Sequence, residues 1–269
     1  YTIEGMMGDM RALQAGTSHN LGQNFAKAFD IKYLSEDNQQ EFCWTTSWGV
    51  STRMVGAIVM AHGDDKGLRL PPKLAPYQVV AIPVFKQDDE KAQVMEVLQR
   101  LVDQLRDAGV RVHLDARDQR PGFKFNDWEM RGVPVRLEVG PRDVEKNNAV
   151  LARRDIAGKE GKQFVSQDGI VDTVKMLLDD VQASMLQQAT QFRDANIHDA
   201  KTYDDLKQIT QNGGWARVWW AGSDDDERRV KDDTGATLRC FPFEQPEGNG
   251  SCVYTGEPSE RVALFAKAY

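Results

Sequence analysis

The densest chemistry in this sequence lies in the string Gln14-Ala15-Gly16-Thr17-Ser18-His19-Asn20-Leu21-Gly22-Gln23-Asn24-Phe25. Small residues let a backbone approach a ligand closely, while Thr, Ser, His, Asn and Gln supply neutral donors and acceptors. Such a set suits a pocket for a small polar molecule. It reads equally as a polar turn capping a helix from about Gly22, and composition does not separate the two. A second string, Trp44-Thr45-Thr46-Ser47-Trp48-Gly49-Val50-Ser51-Thr52-Arg53, runs into an apolar helix over residues 54–61. A strand entering a helix through a glycine and hydroxyls is expected to leave free N–H groups at the helix start. Arg53 falls in that first turn, where the helix dipole disfavours a cation, so an anion such as phosphate would account for it. The plainer alternative is a solvated arginine. A third string, His62-Gly63-Asp64-Asp65-Lys66-Gly67-Leu68, contains metal-ligand types, but Gly-Asp-Asp-Lys-Gly is turn chemistry and is expected to form a turn.

The elements that would position these residues follow from periodicity. Leu70-Pro71-Pro72-Lys73-Leu74-Ala75-Pro76 carries three prolines in seven residues and reads as a linker. Residues 77–85 form a continuous β-branched run, typical of a strand buried on both faces. Asp88 or Asp89 can cap the next helix. Its apolar positions Val94, Val97, Leu98, Leu101, Val102 and Leu105 keep helical spacing until Gly109 stops it. Strands at 110–114 and 133–139 complete a βαβ pattern and hence an α/β domain. A long helix is expected over about 170–192. The tail, roughly 193–269, mixes short helices with Trp215, Trp219 and Trp220 near a strand and an acidic run, Asp224-Asp225-Asp226-Glu227.

The whole has 269 residues, roughly two domains' worth at about 100–200 residues each. With 41% hydrophobic and 28% charged residues it is ordinary globular sequence, which excludes a disordered or fibrous chain. No window approaches the ~18 apolar residues of a membrane span. A net charge of −7 argues against general electrostatic binding to nucleic acid. Residues 111–162, however, hold 12 Lys/Arg against 9 Asp/Glu, a local +3 that leaves −10 elsewhere. A selective nucleic-acid partner touching one domain therefore remains open. Three cysteines, Cys43, Cys240 and Cys252, are too few for a disulfide framework, so a reduced cytoplasm is expected. The first residues lack a signal-peptide pattern, and a start in mid-pattern suggests part of something longer.

Three strings together resemble prolyl-tRNA synthetase: Thr17-Ser18-His19-Asn20-Leu21-Gly22-Gln23-Asn24-Phe25-Ala26, Thr46-Ser47-Trp48-Gly49-Val50-Ser51-Thr52-Arg53, and His62-Gly63-Asp64-Asp65-Lys66-Gly67-Leu68-Arg69-Leu70-Pro71-Pro72. The similarity runs over the whole chain, within the archaeal- and eukaryotic-like branch that carries a C-terminal extension. It implies a multidomain α/β and α+β chain. Residues 1–75 would be the C-terminal part of a class II catalytic domain with its antiparallel sheet. Residues 76–182 would be an α/β anticodon-binding domain, and 183–269 a small α+β extension related to a zinc domain. The implied activity is ATP-dependent joining of L-proline to proline tRNA through a prolyl-adenylate, with Mg²⁺, by a cytoplasmic homodimer that does not touch membrane.

Carried onto matching positions, Gln14, Ala15, Gly16 and Thr17 correspond to the ATP-contacting loop, with Gln14 also at the metal. His19 matches the proline-contacting histidine. Ser51 and Arg53 match the third class II motif, the arginine against the triphosphate. Proline offers no side-chain hydrogen bonds, so its pocket must select by shape, with Trp48 or Phe25 as a wall. Proline anticodons carry adjacent guanines, which Arg or Lys and a carboxylate read best. Arg136, Glu138, Arg142 and Lys162 are the candidates by chemistry and strand-end position.

Departures from the family pattern add three expectations. The first two class II motifs would lie before Tyr1, so this chain alone would hold about half of a catalytic site and would not activate proline. The zinc-ligand positions fall on Ala221, Asp226, Cys252 and Thr255, which keep one cysteine of four, so no zinc is expected. Trp215, Trp219, Trp220, Val230, Leu238, Phe241, Phe243, Val253 and Tyr254 would build an apolar core in its place. Tyr269, at the C-terminus, would pack back toward the catalytic part. A non-catalytic tRNA-binding or regulatory relative is the alternative, against which the intact elements at 14–19 and 51–53 argue.

Overall fold

The computed structural model describes residues 1–85 and 88–269, with the side chains of Asp88 and Asp89 also left out. The helix cap expected there lies outside the described residues. In chain order the elements are β1 (Thr2–Met6), β2 (Ala12–Gly22), α1 (Asn24–Ala28), β3 (Lys32–Leu34), β4 (Gln40–Phe42), β5 (Thr45–Val50) and α2 (Arg53–His62). There follow β6 (Val79–Pro83), α3 (Asp88–Asp107), β7 (Val112–Leu114), α4 (Pro121–Met130), β8 (Val135–Val139), α5 (Pro141–Glu145), β9 (Asn148–Arg153), β10 (Lys162–Ser166) and α6 (Ile170–Ala195). The last stretch holds β11 (Ile197–Asp199), α7 (Tyr203–Gln211), β12 (Trp215–Trp219), α8 (Asp224–Thr234), β13 (Ala236–Cys240), β14 (Gly250–Ser251), β15 (Pro258–Ser259) and β16 (Val262–Lys267). Two compact units result, one of residues 62–192 and one of 1–61 together with 193–269. Among the described residues, no helix is long and apolar enough to cross a membrane.

The 62–192 unit is built on a mixed sheet in the order β10-β9-β8-β6-β7, parallel across β7, β6 and β8 and antiparallel across β8, β9 and β10. The predicted βαβ unit is β6-α3-β7, and β6 is buried at every position. Val94, Leu98, Leu101, Val102 and Leu105 of α3 pack on one face, joined by Val174, Leu177, Leu178, Val181 and Met185 of α6. Each such side chain contributes about 1.5–3 kcal/mol once buried. Gly109, at φ +84°, lets the chain turn out of α3 into β7. On the other face α4 packs on β6, where Trp128 and Phe125 meet Val80, Ile82 and Val133. Toward β8 and β10 the same helix contributes the Phe125 ring, which lies under the Arg136 and Lys162 side chains.

Asp115 anchors α4. Its fully buried carboxylate accepts from Trp128 Nε1 at 2.7 Å and from Arg117 Nε and Nη2 at 2.9 and 2.7 Å. Burial pushes this carboxyl up, but the bonds from Arg117 and Trp128 outweigh it and hold it well below the usual carboxylate range. The proline segment is not a free linker. Pro71, Pro72 and Ala75 are buried, and Arg111 clamps them by donating to the carbonyls of Ala75 (3.0 Å) and Pro72 (2.8 Å). Three prolines supply few N–H groups, so a side chain ties the segment down instead.

The other unit contains the antiparallel β1-β2-β5 sheet, the four-stranded β11-β12-β16-β13 sheet and two two-stranded ones, β3-β4 and β14-β15. Ala12, Trp215, Leu264 and Ala266 share one core cluster, with Met6, Ile197 and Cys240 against it. Trp215 Nε1 donates to the Met10 carbonyl at 2.7 Å. Arg239 Nε and Nη2 both reach Glu4 Oε2, at 3.0 and 2.7 Å, with both side chains largely buried. Tyr269 donates its N–H to the Ala12 carbonyl and its hydroxyl to Asp9 Oδ2 at 2.6 Å.

A second cluster joins Trp220, Val230, Ala263 and Phe265 with Leu238, Phe241, Val253 and Tyr254. Three members of the core expected from sequence behave differently, Trp219 being half-buried and outside both of these clusters. Phe243, in the loop after β13, is 84% exposed, and Trp215 belongs to the cluster around Ala12. Strand periodicity cannot place a loop residue such as Phe243, while alternation along β12 turns Trp215 and Trp219 to the face opposite Ala216 and Val218.

Candidate functional site

Two constellations bring together residues singled out above. The first is the face of the sheet in the 62–192 unit that points away from α3 and α6. Register aligns Lys162, Ala152, Arg136 and Val80 in one row across β10, β9, β8 and β6, and Phe164, Val150, Glu138 and Ile82 in the next. Directly paired residues share a face, so all eight look away from the α3 and α6 side. Arg136 Nε donates to Glu138 Oε1 at 2.7 Å, and Lys162 Nζ reaches the same oxygen at 3.5 Å. Both cations lie over the Phe125 ring, at 4.2 and 5.7 Å from its centroid. Glu138 is buried, and among the described residues its Oε2 takes no bond.

A cavity of about 450 Å³ opens beside this cluster, lined by Arg136, Lys162, Trp128, Glu129, Lys66 and Lys159, among others. Its chemistry is cation next to carboxylate next to aromatic, which suits a planar base with acceptors and donors on one edge. Arg142 stands apart. It is exposed on α5, whose Val144 packs against the helix-covered side of the sheet.

The cavity rim is fixed by the 62–68 string. Asp64 and Gly67 exchange backbone bonds, and Lys66 N–H donates to Asp64 Oδ1, so the string is a turn. Gly67 lies at φ +124°, and a Cβ there would stand 2.5 Å from the Met130 carbonyl oxygen, so only glycine fits. Arg154 grips Asp64 with both Nη groups and the Glu129 carbonyl with Nε. That bonding holds the Asp64 carboxyl at about 2.

The second constellation is the β2–β5 sheet and the start of α2. Arg53 Nη1 donates to the Gln14 carbonyl at 3.4 Å, and Arg53 N–H to Ser51 Oγ at 3.3 Å. Gln14 Nε2 donates to Thr2 Oγ1 at 3.1 Å. Ala15 has no partner in the β1 register, which shifts between Ile3 and Glu4, so it occupies a bulge. Gly16 is buried, and Thr17 Oγ1 sits over Gly49, where a Cβ would come within 3.0 Å of it. The N–H groups expected to be free at the helix start are not free. Met54 and Val55 donate to the Ser51 and Thr52 carbonyls, and Arg53 N–H is taken by Ser51. The tight entry into α2 consumes them, and the Arg53 guanidinium is the cationic group left at this helix start.

Register also separates His19 from Trp48. His19 pairs with Ser47 and Trp48 with Ser18, and neighbouring residues alternate faces. One pocket on this sheet therefore cannot be lined by both. Trp48 is 82% exposed and Phe25 50%, so neither forms a closed wall within this unit.

Comparisons with known proteins decide the family. Residues 78–177 match the family profile "Anticodon binding domain", and residues 203–269 match "Prolyl-tRNA synthetase, C-terminal". A chloroplastic/mitochondrial proline--tRNA ligase of Arabidopsis thaliana is 55% identical over 273 residues, covering all of this chain and 50% of the relative. Proline--tRNA ligases of Roseiflexus sp. (strain RS-1) and Chloroflexus aggregans are 51% and 52% identical, over all of this chain and 56% of each relative. The chain belongs to the prolyl-tRNA synthetase family. It spans about half the length of the curated relatives it matches.

Within that family the C-terminal positions related to zinc binding can be tested against the geometry. The Cys252 thiol is buried, which pushes it up. Bonds from the Ala221 and Thr255 backbones, the Thr255 side chain and the Tyr254 backbone outweigh burial and bring it below the ordinary thiol value. Three of the four positions thus still converge. The fourth has another role, since Asp226 Oδ2 accepts from Ser223 N–H and Oγ as the capping box of α8. One thiol among Ala, Thr and a capping Asp does not fit a tetrahedral zinc. Among the described residues no group of three or more His, Cys, Asp or Glu is placed to hold a metal.

Sequence reasoning missed Glu129, Lys66 and Lys159 at the cavity, and Phe125 beneath the two cations. The aromatic–cation run Phe123-Lys124-Phe125 next to Trp128 was the available signal.

Proposed function

We propose that the protein joins L-proline to proline tRNA through a prolyl-adenylate, and that this chain supplies the anticodon reader and part of the catalytic domain. The observation that carries the reading is the Arg136–Glu138–Lys162 cluster over Phe125, inside the segment that matches an anticodon-binding profile. Glu138 Oε2 is placed to accept from the N1–H and N2–H₂ of a guanine. The Arg136 Nη groups or Lys162 Nζ donate to its O6. Pairing with the two cations keeps Glu138 in position before RNA arrives, so little order is lost on binding.

In this reading residues 1–75 belong to a class II catalytic domain whose sheet includes β1-β2-β5, with 76–182 as the anticodon domain and 183–269 as the C-terminal extension. The second constellation fits Mg-ATP by its donor set. Arg53 would face the phosphates, Gln14 the metal-bound end, Ala15, Gly16, Thr17 and Ser51 the nucleotide, and His19 the proline. When bound, the nucleotide would supply the α-phosphorus that proline's carboxylate attacks, with the bond to the β-phosphate breaking and pyrophosphate leaving. Arg53 offsets developing charge and needs no covalent step from the protein. A homodimer in the cytoplasm completes the proposal.

The test is affinity of the full-length protein for proline tRNA with each anticodon guanine replaced by adenine. A loss of about tenfold or more per replacement supports the reading. Equal affinity for all anticodons would refute it, and absence of proline-dependent ATP–pyrophosphate exchange would favour a non-catalytic binder.

A further inference from the structure

We infer that Phe164, on the open edge strand β10, is a stacking platform for the unpaired anticodon-loop base next to the guanines held at Arg136 and Glu138. This inference rests on the anticodon reading above and extends it to a neighbouring nucleotide. Phe164 is 77% exposed, although it sits in a regular strand whose next residue, Val165, packs into the core. Alternation therefore puts the Phe164 ring on the same face as Lys162, Arg136 and Glu138. It is in register with Val150, which is buried, and through it with Glu138.

Two strand spacings separate Phe164 from Glu138, roughly 10 Å at the usual interstrand distance. An unstacked RNA strand can bridge that separation between successive bases. Lys162, two residues along the same strand and 40% exposed, supplies a cation for the connecting phosphate. An exposed aromatic beside a cation on an open sheet face is the arrangement by which single-stranded bases are held without regard to sequence. The occupant is RNA rather than a protein, because the face is continuous with the cation–carboxylate cluster and β10 presents Lys162 at its edge, a residue type that discourages strand addition. Stacking without edge-specific bonds also suits a position where the base varies.

The experiment uses the full-length protein and a hairpin carrying the proline anticodon loop, with 2-aminopurine placed on one or the other side of the two guanines. We expect the fluorescence of one labelled position to be quenched on binding. Phe164→Ala should weaken binding about 5- to 100-fold and abolish the quench, and Phe164→Trp should restore both. Wild-type affinity and quench in Phe164→Ala would overturn the inference. So would equal losses in the Ala and Trp variants, which would mark a role in folding. Loss of self-association by sedimentation with RNA affinity intact would assign the ring to a second copy of the chain. Guanine-dependent binding with a neutral Phe164 removes this inference alone, whereas guanine-independent binding removes the anticodon pocket whatever Phe164 does.

Discussion

On the open face of the β10-β9-β8-β6-β7 sheet, Arg136 and Glu138 are mostly buried, tied to each other and backed by the Phe125 ring. On the β2–β5 sheet the corresponding groups are bare. Trp48 is 82% and Val50 77% exposed, and Arg53 makes one 3.4 Å side-chain bond. The contrast teaches where preorganisation comes from. In the first region α4 and three strands of one unit converge on the cluster, so the ordering cost is met by folding. In the second the strands present chemistry on a surface that their own unit does not close. An exposed apolar face of that kind marks a place where further protein or ligand belongs.

The largest expected effect breaks the second region. In the full-length protein Arg53→Ala should lower proline-dependent ATP–pyrophosphate exchange by about 10²-fold, the equivalent of ~3 kcal/mol of charge stabilisation. A change confined to the Michaelis constant for tRNA would place Arg53 elsewhere. In the first region Arg136→Ala should cost about 1–3 kcal/mol in tRNA affinity, since it removes a guanine contact and leaves Glu138 less well held. Pyrophosphate exchange is the control, because equal losses in both assays would mean that the substitution had unfolded the unit.

A smaller effect tests the cavity rim. The Asp64 carboxyl is held at about 2 by Arg154, below its ordinary 3.8. A depressed carboxyl stabilises the fold above its unfolded value and loses that contribution as pH falls from about 5 through about 2. Asp64 is 38% exposed, so screening reduces the ~2 kcal/mol the shift would imply to about 1 kcal/mol. Asp64→Asn should therefore flatten the acid limb of urea stability by that amount, and an unchanged pH dependence would exclude the pair as its source. The smallest expected effect is none. A strong zinc chelator should leave the melting temperature unchanged, because Asp226 caps α8 and Trp220, Val230 and Phe265 hold the C-terminal core. Stoichiometric zinc at Cys252 would overturn that expectation.

Much of the fold was legible because local patterns dominate there. The Val79–Pro83 strand, the helical stripe ending at Gly109 and the long helix beginning at Ile170 all follow the periods of their elements. The 62–68 turn was legible for the same reason. What local pattern could not show was where unpatterned residues go. The proline segment is buried because Arg111, far along the chain, reaches its carbonyls. Phe243 looked like core by type and lies exposed in a loop.

The sequence by itself determined the βαβ order, the family resemblance and the chemical types at both sites, because each is carried by residues close together in the chain. Tertiary structure alone decided which of them meet. It set Arg136, Glu138 and Lys162 on one face over Phe125 and left Arg142 on the helix side. It put His19 and Trp48 on opposite faces and closed the backbone donors of α2. The physical reason is register. A strand offers a side chain to one face or the other according to its partners, and those partners are chosen by pairing across long sequence separations that no local window contains.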